Sequence, residues 1–397
     1  MRIAERPELG QLTYCTNIHK GESWADTLQA LRENVPSVRA EVAGDRPFGV
    51  GLRLSALAAR ELAEPGAMED LKAFLAENNA YIFTINGFPY GDFHGVRVKE
   101  NVYSPDWGEQ VRLDYTNALS DILADLLPDG MDGSISTVPG SFAPWAEGRV
   151  DVIVRNFVSH VAHLVRLRRE TGKLIRLALE PEPCCMLETI EEAVAFFVDH
   201  LHAEGAVEQL ARETGLSAEE ALVALREHLG LCYDVCHAAV EFEDPQASIA
   251  MLRDNRIGIY KLQLSSALRM PKVDRSTVDL LAPFNEPTYL HQVVENRNGR
   301  LRKWLDLMPA LADIDTAIGS EWRVHFHVPL FLDDMGRFGT TQAFLREILA
   351  IHKADPISEH LEVETYTWDV LPDEYRGMPM STAIARELNW VLGQLGQ

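Results

Sequence analysis

Carboxylates, imidazoles and amides recur at intervals that could gather them around one divalent cation. They are Glu180 in LALEPEP, Asp234 and His237 in CYDVCH, Gln263 in KLQLSS, His325 and His327 in HFHVP, and Glu362 and Glu364 in LEVETYTW. Burying several carboxylates in one cavity is costly unless positive charge pairs with them, and this set offers few Lys or Arg. A divalent cation supplies that charge. Oxygen-rich ligation with one or two imidazoles suits Mn²⁺, Mg²⁺, Fe²⁺, Co²⁺ or Zn²⁺ without choosing among them, and a Cys-poor donor set argues against a structural zinc. Taken singly, each residue has a plainer explanation. A strand-end Glu is ordinarily salt-bridged at the surface, His237 can simply be a satisfied hydrogen-bonding histidine, and a His pair at i, i+2 can stabilise a sheet edge. Their recurrence at successive strand ends is what points to a single site.

Such a site needs a scaffold that turns several strand ends toward one mouth. Short apolar or β-branched runs alternate with longer amphipathic stretches, the βαβα rhythm of a parallel sheet with helical crossovers. Strands are expected at 12–18, 48–55, 81–87, 134–140, 174–181, 231–237, 257–265, 323–329 and 361–368. Helices are expected between them, including 23–34, 70–78, 150–170, 189–202 and 341–354, several opened by Ser, Thr or Asp. The pattern predicts an α/β fold, a (β/α)8 TIM barrel, whose βα loops all open at the C-terminal face. Nine strands is one too many. Either HFHVP is an insertion beside the barrel, or one of the outer strands is not part of its wall.

Two stretches read as additions. Residues 217–230 form an extra helix with Ser217 and Glu220 spaced as a capping box, and the Pro- and Asn-rich stretch 270–299 after strand seven reads as a long lid or binding loop. No linker or repeat interrupts the chain. A single domain is expected over 1–397, with a core of about 12–370 and a C-terminal helix at about 380–395.

With 46% hydrophobic and 24% charged residues the composition is that of a folded globular protein. The formal net charge of −23 repels phosphate backbones and anionic lipid, so neither nucleic acid nor membrane is an expected partner. The start, MRIAERPELGQLTYC, has no signal-like apolar run, and no stretch of about 18 apolar residues occurs, so the expected location is cytoplasmic. Five cysteines (Cys15, Cys184, Cys185, Cys232 and Cys236) without paired CxxC spacing suit reduced thiols.

At these motifs the chain resembles the xylose isomerase-like TIM barrel superfamily, which includes xylose isomerases, ketose 3-epimerases, inosose dehydratases and the endonuclease IV family. Within it, LTYCTNIHKGESW, HFHVPLF and LEVETYTWDVLP resemble the EboE family of metabolite traffic proteins. The broad resemblance spans about residues 12–370, and the EboE resemblance rests on those longer peptides. The resemblance implies Glu180 as a first metal ligand, Asp234 as a second, and His237 as a substrate-facing or ligand-supporting group. Gln263 would stand where the family usually offers His or Asp, a departure because a neutral amide binds a cation less strongly. Glu364 would close the site, with His327 contesting that place if HFHVP is the eighth strand.

The Glu-Pro-x-Pro segment of xylose isomerases carries a lysine at x, whereas this chain has Glu182, so a two-metal hydride shift loses support. The epimerase pattern, with one glutamate removing a proton beside a carbonyl and the other returning it, fits Glu180 and Glu364. Asn17, His19, Arg53, Asn86, His94 and His325 are candidate substrate contacts, with His291 and Arg297 from the long loop. The expected activity is a metal-dependent isomerase, epimerase or related lyase acting on a small sugar, cyclitol or other polyol. Two alternatives remain beside it: a metabolite-binding traffic protein without turnover, and a metal-dependent phosphodiesterase of endonuclease IV type, which the acidic charge disfavours. A homo-oligomer is compatible with the superfamily and not required by the sequence.

Overall fold

In a computed structural model, residues 1–336 and 338–396 are described; Arg337 and Gln397, both within the 1–397 range, lie outside them. Thirteen strands occur among the described residues. β1 (Gln11–Tyr14), β2 (Phe48–Arg53), β3 (Ala80–Asn86), β4 (Gly133–Thr137), β5 (Ile175–Leu179), β6 (Leu229–Asp234) and β7 (Ile259–Leu264) come first. β8 (Leu268–Met270), β9 (Val293–Arg297), β10 (Arg300–Trp304), β11 (Glu321–Val324) and β12 (Gly339–Thr340) follow, then β13 (His360–Val363). Eight of them, in the order β1-β13-β7-β6-β5-β4-β3-β2, form one sheet in which all pairs are parallel.

That sheet is the barrel, and β13 is its eighth strand. Helices cross between its strands much as the apolar spacing predicts. Trp24–Val42 begins at a capping box of Ser23 and Asp26, Ala218–His228 at one of Ser217 and Glu220, and Met380–Leu395 ends the chain. Helices Ala56–Leu62, Gln110–Leu126, Glu204–Thr214 and Pro245–Asp254 were not read from the sequence. None of the described helices is long and apolar enough to cross a membrane.

The sheet closes at the β1/β2 seam through side chains as well as backbone. Thr13 Oγ1 donates to Gly49 O at 2.8 Å and accepts from Gly51 N at 3.0 Å, Thr16 Oγ1 accepts from Arg53 N at 2.8 Å, and Cys15 bridges to Gly51. Gly51 is required there, because a Cβ at that position would overlap Glu362 Oε1 and the Tyr14 carbonyl.

The barrel interior is unusually polar for a fold whose inner layers are ordinarily Val, Ile and Leu. Thr84 meets Ser134 at 2.8 Å, His360 reaches Ser134 at 2.8 Å, and Lys261 pairs with Glu362 at 2.6 Å with both side chains wholly buried. Period-two alternation explains this. In His360–Glu364 the odd-numbered Leu361 and Val363 belong to the apolar core, while His360, Glu362 and Glu364 occupy the opposite face.

The second sheet, in the order β10-β9-β11-β8-β12, is antiparallel throughout and is inserted between β7 and β13. The stretch expected as a long loop after strand seven is therefore an ordered cap. HFHVP follows β11 in that cap and is not a barrel strand, which removes the ninth strand from the wall. Val328 N donates to Ser266 O at 2.9 Å, holding HFHVP against the chain just after β7. The C-terminal helix clamps cap to barrel through Glu387, whose Oε1 accepts from Leu330 N at 2.9 Å and from Thr365 Oγ1 at 2.7 Å.

Candidate active site

Asp234 ends β6 and caps the short helix Val235–Val240, its Oδ1 accepting from His237 N at 3.0 Å and from Ser265 Oγ at 2.7 Å. The D-x-x-H spacing has a structural cause: the capping turn folds the third residue of the helix back beside the carboxylate. Asp234 Oδ2 is buried without a hydrogen-bond partner, and so is Glu180 Oε2. Glu364 stands one residue beyond β13, its Oε1 accepting from Asn17 Nδ2 at 2.8 Å and Asn86 Nδ2 at 2.9 Å. Donor atoms of Glu180, Asp234 and Glu364 all lie within 4.8 Å of one another.

Three carboxylates this close, this deeply buried, cannot all ionise unaided. Burial, then Asp234, pushes Glu180 up to about 8; burial, then Glu180 and Asp234, pushes Glu364 well above the carboxylate range. Burial also penalises Asp234, but His237, His327 and Ser265 outweigh it and hold Asp234 below its usual value. Below this layer Lys261 brings a positive charge, which Glu362 already shares. The arrangement fits a divalent cation: the unpartnered oxygens of Glu180 and Asp234 are the atoms it would bind, and its charge would allow all three groups to ionise. Gln263 is level with Asp234 across the β6–β7 pair, and both atoms of its buried amide lack partners, so Oε1 is available as a further neutral ligand.

A second donor set adjoins the first and shares Asp234. His237 Nε2 lies 3.2 Å from His325 Nε2, which lies 3.3 Å from His327 Nε2. Each Nδ1 faces a carbonyl oxygen: Pro181 O at 2.9 Å for His237, Gln292 Oε1 at 2.7 Å for His325, Glu364 O at 2.8 Å for His327. Those acceptors put a proton on each Nδ1. Burial penalises a charged His237, but Asp234, Glu182 and Glu180 outweigh it and hold His237 above its usual value, so a second proton on its Nε2 can be donated to His325. The Nε2 lone pairs of His325 and His327 cannot bond each other, whereas nitrogens bound to one tetrahedral cation sit about 3.3 Å apart. Burial, followed by His237 and His327, pushes His325 well below its usual value, and burial pushes His327 down to about 4. Cys236 reaches His325 and His327, and Glu182 reaches His237 and His325, within the same 4.8 Å limit.

Members of both sets line one cavity with an empty volume of about 520 Å³, its open mouth included. Asn17, Asn86, Glu180, His237, His325 and Glu364 line it, whereas Asp234, Gln263 and His327 do not. His19 and Arg53 line a separate small recess instead. Arg53 is committed to Glu22 at 3.1 Å and to the carbonyls of Gly21 and Gly91, and His19 to Tyr14 OH at 3.1 Å. His291 is held between Glu286 Oε1 at 2.8 Å and His325 O at 3.0 Å, so it braces the cap and is wholly buried. Arg297 lies on the β9–β10 hairpin, donating to Thr316 O at 2.8 Å.

Glu182, Tyr103 and Gln292 were not chosen as site residues from the sequence. Tyr103 OH donates to Glu182 Oε1 at 2.7 Å and accepts from Gln292 Nε2 at 3.0 Å, and Gln292 then meets His325. Glu182 could have been flagged by its place in EPEP after a strand. Nothing in the local sequence marks Tyr103 or Gln292.

No protein-family model and no curated protein matches the chain. Solved structures do. A D-psicose 3-epimerase determined in the presence of D-fructose is 11% identical over 98% of this chain and 100% of its own, with a TM-score of 0.48. An IolI protein with a bound zinc atom is 13% identical over 97% of each chain, TM-score 0.46. A probable 3-DHS dehydratase, AsbF from Bacillus anthracis, is 14% identical over 96% of this chain and 97% of its own, TM-score 0.45. The neighbours are xylose isomerase-like TIM barrel proteins, the EboE resemblance gains no support from them, and at these scores the chemistry of this chain rests on its own residues.

Proposed function

We propose that this chain is a divalent-cation enzyme that moves a proton on the carbon beside a carbonyl of a small polyhydroxylated molecule, an isomerase, epimerase or related lyase. One observation carries the reading: Glu180, Asp234 and Glu364 bring donor atoms within 4.8 Å of one another, Glu180 and Glu364 line the cavity, and Glu180 Oε2 and Asp234 Oδ2 are unpartnered. A bound cation would supply stabilisation of the oxyanion that develops as the proton leaves. Glu180 and Glu364 come from strands β5 and β13, separated in the sheet by β7 and β6, so their carboxylates can address one carbon from two sides. Asn17 and Asn86 fix Glu364 through Oε1 and leave Oε2 for proton transfer. His237, anchored on Pro181 O, is placed to bind a substrate oxygen.

The test is exchange of carbon-bound hydrogen with deuterated water over a panel of ketoses and inososes, with metal analysis of the same protein. Glu364→Gln is expected to abolish exchange, falling by more than about 100-fold. Retained exchange in that variant, or an unaltered protein that neither holds divalent cation nor gains melting temperature when it is added, refutes the reading.

The imidazole set favours one second reading, hydrolysis of a phosphate ester by several cations. The net charge of −23 weighs against a nucleic-acid substrate. Phosphate release from a simple aryl phosphodiester, without deuterium exchange in any ketose, would select it.

A further inference from the structure

The cavity has two chemically opposed halves. Its floor is the polar site just described. Its roof comes from the chain after β3, from the cap and from the turn after β13, and presents Phe88, Phe93, Val98, Val102, Leu290 and Tyr366. Phe93, Val98 and Tyr289 form a small buried apolar cluster of their own, separate from the main core, with Val102 and Tyr366 packed on it. Their rings meet closely: Phe93 lies 5.2 Å from Tyr289 and 5.3 Å from Tyr366, and Tyr289 lies 5.1 Å from Tyr366. An apolar cluster detached from the core and set over a site is poised to bury something else apolar.

Of the polar groups that reach this roof, His94, Lys99, Tyr103 and Tyr289 are already committed, and the Tyr366 hydroxyl is the exception. His94 Nε2 faces Asn17 O at 2.5 Å, so its Nδ1 accepts from Tyr289 OH at 2.8 Å. Lys99 uses all three ammonium donors, on Tyr289 O at 2.6 Å, Asp306 Oδ2 at 2.7 Å and Glu286 O at 3.3 Å. Tyr103 OH is bonded to both Glu182 and Gln292. A polyol filling the whole cavity would lose water from its outer hydroxyls and find few partners in exchange.

We infer that the roof is a subsite for an apolar substituent, and that the substrate class is an oxygen-rich, cation-binding head carrying a hydrocarbon or aromatic group. The head would occupy the floor between Glu180 and Glu364, and the substituent would lie under Phe93, Val102 and Leu290. This inference rests on the floor being the cation-binding reaction centre.

Calorimetric titration of the full chain loaded with Co²⁺ tests it, using acetohydroxamate, benzohydroxamate and octanohydroxamate, which share one metal-binding head and differ in the attached group. Benzohydroxamate is expected to bind at least about tenfold more tightly than acetohydroxamate. Leu290→Asn and, separately, Val98→Asn should narrow that gap to about threefold or less while acetohydroxamate binding stays where it was. The comparison within the unaltered chain requires neither variant to fold. Equal affinities for all three probes overturn the subsite and leave the cation floor standing. Tight benzohydroxamate binding that survives stripping of the metal supports the apolar subsite and overturns the cation floor. Failure of all three to bind overturns both.

Discussion

Carboxylates and imidazoles meet at the barrel mouth by different routes. Glu180 and Glu364 sit one residue past β5 and β13, and Asp234 is the last residue of β6, so parallel pairing fixes their height and period-two alternation fixes their direction. A slip of one residue would turn each out of the barrel. His325 and His327 arrive from an antiparallel cap folded from residues between β7 and β13, and their aim depends on Gln292, the Glu364 carbonyl, and the hold of Thr367 Oγ1 on His327 O. The cation-binding charge is thus carried by the sheet, which also brings His237 just after β6, while His325 and His327 are carried by an appendage whose packing could shift without unmaking the barrel.

Asp234 belongs to both sets, which gives the sharpest way to break this division. Asp234→Asn is expected to weaken divalent-cation binding by more than about 100-fold, since losing a partner only one step removed from a metal already costs about 10- to 100-fold. His325→Ala should lose only the cation held by the imidazoles. Metal content per chain after dialysis, with deuterium exchange as the second readout, separates the two. Equal losses in both variants would mean that the floor and the cap form one centre.

The same division governs what could be read in the sequence. Strand-end carboxylates announce themselves because alternation is local: His360–Glu364 shows its polar face within five residues, and the D-x-x-H turn within four. HFHVP alternates equally well, yet it lies just past β11 of another sheet, because the pairing of β11 with β9 and β8 is decided by partners up to 56 residues away, as Val324 with Leu268 shows. Its histidines still reach the mouth, so Glu364 and His327, which the sequence sets in competition, are neighbours rather than rivals. Arg53 and His19 were plausible contacts by position along the chain, but the Glu22 carboxylate and the Tyr14 hydroxyl claim them. Lys261 and Gln263 share one face of β7, and that spacing alone could have exposed the buried counter-charge beneath the site.

Glu387 tests how firmly the cap is tied to the barrel. Burial raises its carboxyl to about 7 from an ordinary 4.5, against the opposing hydrogen bonds from Leu330 N and Thr365 Oγ1. The native protein therefore holds this proton more tightly than the unfolded chain. That contribution is fully present below about pH 4.5 and is lost as pH rises through about 7. Glu387→Gln keeps an accepting oxygen and removes the titration. Between pH 5 and pH 8 the unaltered protein should lose about 2 kcal/mol more unfolding free energy than the variant, measured by urea denaturation at both pH values. Parallel pH profiles for the two proteins would show that Glu387 does not carry this charge across the clamp.

The smallest expected effect tests the cap at a single hydrogen bond. Gln292 accepts from His325 Nδ1 through Oε1 and donates through Nε2 to Tyr103 OH and to Pro183 O at 3.1 Å. Because the Pro183 carbonyl can only accept, the orientation of the amide is fixed, and with it the proton on His325 Nδ1. Gln292→Leu removes the acceptor, freeing the imidazole to rotate or to move its proton to Nε2, where it blocks a lone pair. Cation affinity of the imidazole set should fall about tenfold, with the carboxylate set unaffected. Gln292→Glu restores an acceptor to His325 while sacrificing the two donations, so its affinity should return to within about threefold of the unaltered chain. A purely structural role predicts the reverse order, because the introduced carboxylate would face the Pro183 carbonyl with an acceptor against an acceptor and destabilise the cap more than leucine does. Co²⁺ titration followed by visible absorption therefore distinguishes a glutamine that aims His325 from one that merely fills the cap.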